Sequence, residues 1–150
     1  MRWFNGWGIL WIATIMLPNI VFALTHKGGF ENLWQNRAVE ALEQIGRFGC
    51  FFLMIVNIVP LCGGFWSTDA KTAYCAASAS LTALYLFGWI VFWREDSMAK
   101  ALTLSLLPSL LFLESGVLMR NYPLILAAVI FAPCHILISA KNAVRKAKKK

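Results

Sequence analysis

Along this 150-residue chain, mostly apolar stretches of about 20 residues recur. They run approximately from Gly6 to Leu24, Phe48 to Trp66, Tyr74 to Trp93, Ala101 to Met119 and Tyr122 to Ala140. A helix crosses about 30 Å of hydrocarbon with about 20 residues at 1.5 Å each, and lipid tolerates no unpaired backbone N–H or C=O on the way. The expected fold is therefore all-α, a polytopic transmembrane helical bundle of about five spans making one integral membrane domain over residues 1–150. Only Arg120 and Asn121 separate the last two stretches. Pro123 stands where a proline opens a helix without losing a needed donor, so a tight antiparallel hairpin is expected there.

Composition supports lipid as the second solvent. Apolar residues make up 59% of the chain and charged residues 14%, against usual values of roughly 45–50% and 25%. A soluble domain of this size could not hide so much apolar surface. The net charge of +7 comes largely from a terminal cluster, Lys141, Arg145, Lys146, Lys148, Lys149 and Lys150. Basic residues directly after an apolar span match anionic lipid headgroups, not nucleic acid, which is met by Lys and Arg spread over a folded face.

Orientation follows from the same residues. With the N-terminus outside, eleven Lys and Arg fall on cytoplasmic segments and three, Arg2, Lys71 and Arg120, fall outside. This predicts a multi-pass protein of the plasma membrane with its C-terminus cytoplasmic. Arg2, the apolar run and Val21-Phe22-Ala23 imitate a signal peptide, but cleavage there would export the basic tail, so a retained first helix is expected. Trp3, Trp7 and Trp66 on one side and Trp34, Trp89 and Trp93 on the other fit rings at headgroup level. After the break at Gly28-Gly29, Glu31 to Ile45 reads as one cytoplasmic interfacial amphipathic helix that bends into the second span.

Polar residues inside apolar spans are the functional candidates, because an acidic side chain at mid-helix costs on the order of 2.5–3.5 kcal/mol on insertion scales. Glu114 in the fourth span is a candidate proton or ligand site, or else a carboxyl that reaches Arg120 or bonds a neighbour. Glu40, Glu43, Arg47, Cys50, Met54 and Asn57 recur at helical spacing and should look into the protein, with Glu43 and Arg47 an i,i+4 pair. Asn57 is also placed to repair a kink at Pro60. Together with Asn19 in the first span and His135 in the fifth, Arg47 and Cys50 are candidates for lining a polar cavity open to the cytoplasm. His135 is equally a satisfied interhelical donor on this reading.

Among four cysteines there is no CxxC pair and no metal-spaced cluster, and no cofactor is implied. Cys62 and Cys75 stand near the outer ends of consecutive spans, within reach of a disulfide on an oxidising face. HExxH and GxSxG are lacking, so an enzyme is disfavoured. A protein that binds or moves a small molecule or ion, as transporter or sensor, is the leading expectation; a non-catalytic accessory or assembly subunit of a larger membrane complex is the alternative. Five short helices make a thin wall, so a homo-oligomer or a partner subunit is expected.

Leu17-Pro18-Asn19, Asn36-Arg37, Glu43-Gln44-Ile45-Gly46-Arg47-Phe48-Gly49-Cys50 and Phe131-Ala132-Pro133-Cys134-His135-Ile136 resemble strings in a group of small multi-span membrane proteins of Gram-positive bacteria. That resemblance implies a bacterial plasma membrane and attaches no activity to any residue.

Overall fold

A computed structural model describes residues 3–26 and 31–149. Five helices follow one another, α1 (Gly6–Thr25), α2 (Arg37–Ile55), α3 (Thr68–Val91), α4 (Met98–Leu118) and α5 (Tyr122–Lys149), with no named strand among the described residues. Four of them, α1, α3, α4 and α5, are long and apolar enough to cross a membrane. Their outward faces are correspondingly greasy: Leu24 is 78% exposed, Ile90 74% and Leu126 63%. Lipid is the solvent such surfaces need, and the chain is a multi-pass membrane protein.

The helices alternate in direction between two ends, named here for Arg120 and Lys100. At the Arg120 end, Asn5 N–H donates to Ile55 O at 2.8 Å and Asn57 N–H to Trp3 O at 2.9 Å, tying the entry of α1 to the exit of α2. The α4–α5 turn closes the same end. Arg120 N–H donates to Val117 O and Asn121 N–H to Gly116 O, with Arg120 at φ 51°, the paired bonds of a Schellman motif. Asn121 then starts α5, its Oδ1 accepting from Leu124 N–H at 3.2 Å, while its Nδ2 donates to Leu53 O at 2.9 Å.

The second helix departs from the hydropathy expectation. It begins at Arg37 and stops at Ile55, so only residues 37–45 of the anticipated Glu31–Ile45 amphipathic helix join the first part of the expected 48–66 span in one rod, and residues 31–36 and 56–66 are not helical. Pro60 has no N–H to give, its predecessor is pushed away from helical angles, and Gly64 takes φ 69°. The start is well defined: Asn36 Oδ1 accepts from Val39 N–H at 3.3 Å, and Glu40 Oε1 accepts from Asn36 N–H at 3.0 Å. The expected break at Gly28-Gly29 lies outside the described residues. The basic tail also departs from expectation by continuing α5 as helix to Lys149.

Close approaches between helices occur where a side chain would not fit. A Cβ on Gly46 would stand 2.8 Å from the Phe131 Cα and N, so α2 meets α5 backbone to side-chain-free backbone. Gly8 lets α1 approach the Met54 carbonyl in the same way. The core so formed includes Cys50, Met54, Tyr74, Leu111, Phe112 and Leu124, each at most 1% exposed.

Candidate functional site

The inward face of α2 is polar toward its start and apolar toward its end, and its outward face carries the exposed Leu42, Ile45, Phe48 and Phe52. Glu43, Gly46, Cys50 and Met54 are its buried residues. Because Gly46 admits α5, the side chains on either side of that contact meet. Glu43 Oε1 accepts from Arg47 through both Nε, at 3.0 Å, and Nη2, and lies 2.9 Å from His135 Nδ1. The carboxylate is almost fully enclosed, 3% exposed, whereas the guanidinium is 35% exposed. His135 stacks on Phe131 with centroids 4.6 Å apart. A carboxylate buried in an apolar bundle needs such partners, and it takes three donors on one oxygen.

These residues line a cavity of about 780 Å³ toward the Lys100 end. One wall is α1, from Ile15 to Phe22, and another is α2, from Arg37 to Phe51. α1 meets α2 at the Arg120 end, through Asn5 and Gly8, and further along it leans on α3. Asn19 Nδ2 donates to Tyr85 Oη at 2.7 Å, and Phe22 packs on Trp89 with centroids 4.9 Å apart. The cavity lies between α1 and α2 and is closed behind by α3, α4 and α5.

At the Lys100 end the cavity is bounded by the starts of α2 and α4 and the last turns of α5. Ser97 Oγ accepts from Lys100 N–H at 3.1 Å to begin α4. Lys146 pairs with Asp96 at 3.2 Å across the rim. Residues 33 and 34 are held to α5, since Asn142 Oδ1 accepts from Leu33 N–H at 3.0 Å and Trp34 N–H at 2.8 Å, and Arg145 donates to Leu33 O.

Of the residues singled out from sequence, Asn19, Arg47 and His135 share this cavity, and Glu114, Asn57 and Cys50 do not line it. Glu114 sits between α3 and α4, where Ser78 Oγ donates to its Oε1 at 2.5 Å and its Oε2 has no hydrogen-bond partner. Asn57 falls beyond the end of α2, at the Arg120 end, and accepts from Cys62 Sγ at 3.6 Å. Cys50 is fully enclosed core. Cys62 and Cys75 are free thiols; Cys62 is buried and also donates to Met119 O at 3.7 Å. Among the described residues no group of three or more His, Cys, Asp or Glu is placed to hold a metal ion.

Several lining residues escape a reading based on span boundaries alone. Trp89, expected at headgroup level, is 3% exposed and faces the cavity. Tyr85 is buried beside it. Both sit on the face Ser78, Thr82, Tyr85 and Trp89, whose steps of three and four make a polar and aromatic stripe along an apolar helix, the signal that would have found them. Lys100, countable from sequence only as a boundary charge, also lines the cavity.

Comparison with protein-family models, curated proteins and solved structures finds no match to this chain. Its functional reading rests on the geometry of the cavity.

Proposed function

We propose that the protein binds a small molecule or ion in the cavity between α1 and α2 and acts as a membrane transporter or sensor. The observation that carries this reading is the Glu43–Arg47 ion pair, with His135 2.9 Å from the same carboxylate oxygen, on the wall of a cavity of about 780 Å³. Ligand sites typically span about 300–1,000 Å³, mostly apolar with a few convergent polar groups, and ionisable residues at membrane depth mark binding or transport paths. Mere packing would be served as well by apolar residues of similar volume.

On this reading α2 is the fifth crossing, its charges turned inward and its apolar stripe turned to lipid. The N-terminus is outside, and the Lys100 end, with the basic turns of α5 against anionic headgroups, faces the cytoplasm, as the distribution of Lys and Arg favours.

Cysteine labelling tests the proposal. In a variant whose four native cysteines are replaced by alanine, Asn19→Cys should react with a membrane-impermeant cationic methanethiosulfonate in inside-out vesicles and stay unlabelled in right-side-out vesicles. Absence of labelling in both would mean that the cavity is closed to water, and the reading would fail. Labelling only from the outside would reverse the orientation.

A further inference from the structure

We propose that the ligand of this cavity is an amphiphilic anion whose phosphate or carboxylate head pairs with Lys100 and whose apolar body lies between α1 and α2. The inference rests on the cavity being a ligand site and goes on to name the ligand's chemistry. Lys100 projects its ammonium over the Phe22 ring, 4.4 Å from the centroid, and lies 5.5 Å from the Trp89 ring. Both rings line the cavity. Aromatic faces steady a cation without neutralising it.

No carboxylate lies within ion-pair distance of Lys100 among the described residues. The acids around the cavity are engaged elsewhere. Glu43 is held by Arg47 and His135, and Asp96 is paired with Lys146 at 3.2 Å. Glu40 accepts from Asn32 Nδ2 at 2.7 Å and from Asn36 N–H at 3.0 Å. Glu31 stands exposed at the rim. Asp96 and Glu95 act on Lys100 only from beyond that distance, so a half-buried ammonium on the cavity wall makes no direct ion pair, and a ligand anion would supply one.

Two further features fit the head and the tail separately. Ser97, Lys100 and Ala101 bring the first turn of α4 to the cavity, where the positive end of the helix dipole favours an anion. Deeper in, Ile15, Met16, Phe51, Leu104 and Phe112 provide an apolar lining with no charge to satisfy. A small inorganic anion would leave that part unfilled, and a cationic amphiphile would bring a second positive charge to Lys100.

The test uses the full chain in a non-ionic maltoside, with dodecyl phosphate, dodecyltrimethylammonium and inorganic phosphate as probes and affinity read by calorimetric titration. Dodecyl phosphate should bind the wild-type protein at least tenfold more tightly than either other probe. Lys100→Met should lose about tenfold, Lys100→Arg should recover most of it, and Lys71→Met, at the Arg120 end, should change nothing. Should Lys100→Met fail to fold, Lys100→Gln carries the same comparison. Equal affinity in Lys100→Met and wild type overturns the proposal, as does tighter binding of dodecyltrimethylammonium. Inorganic phosphate binding as well as dodecyl phosphate overturns the assigned tail. In each of these cases the cavity itself stands if Asn19→Cys is labelled; if it is not, the site reading falls as well.

Discussion

His135 Nδ1 and Glu43 Oε1 lie 2.9 Å apart although 92 positions separate them in the chain, and this contact joins α5 to α2 at the wall of the cavity. Replacing one partner of a buried ionic cluster leaves the others uncompensated, whereas replacing all of them removes the desolvation cost as well. Glu43→Gln should therefore lower the unfolding free energy by about 1–3 kcal/mol, toward the low end because Arg47 is 35% exposed and partly screened by water. The triple change Glu43→Leu, Arg47→Leu and His135→Leu should recover most of that loss. Equilibrium unfolding in mixed detergent micelles measures both, and a triple variant less stable than Glu43→Gln would count against this account.

Arg120 holds a left-handed backbone at φ 51°. A non-glycine residue there costs about 1–2 kcal/mol, and glycine gives back part of the difference through its greater freedom when unfolded. Arg120→Gly should thus stabilise the α4–α5 turn by about 0.5–1 kcal/mol, read as a rise in thermal midpoint.

Any side chain at Gly46 must displace the backbone of Phe131. Gly46→Val should cost about 2–3 kcal/mol and reduce folded yield in detergent. The effect should be local to the α2–α5 seam, so size-exclusion and limited proteolysis should report loosening of α2 before loss of the α4–α5 hairpin.

Asn121 is fully buried, caps α5 through its Oδ1 and holds the Leu53 carbonyl through its Nδ2. Asn121→Ala removes both bonds and leaves two backbone groups without partners, a loss of about 2–3 kcal/mol. Asn121→Asp keeps the cap and loses the Nδ2 donor, so it should fall between alanine and wild type in the same thermal measurement.

Much of the architecture is legible from residue types alone. The runs that became α1, α3, α4 and α5 carry the 20-residue apolar signature, and Asn121-Tyr122-Pro123 marks the turn because a cap residue and an early proline have short-range consequences. α2 is harder to read, since a hydropathy window counts Glu43 and Arg47 as charges and does not see that His135 joins their cluster. Hydropathy therefore favoured residues 48–66, where Pro60 and Gly64 break the helix.

The candidate site shows the same division. Arg47 and His135 stand out because ionisable groups are rare in apolar runs, but nothing local distinguishes a headgroup tryptophan from one facing a cavity, as with Trp89. Lys100 is ambiguous for the same reason. Its place over Phe22 depends on α1 leaning toward α3, a tertiary fact that no spacing within either segment encodes.

The 28 residues of α5 extend about 42 Å, more than a hydrocarbon slab requires. Its surplus turns hold Leu33 and Trp34 by their backbones, ahead of α2. The Lys100 end of the cavity is thus framed by a strut that starts on the opposite face of the bundle, and a tilt of that strut would change the width there without any change in the α1 wall.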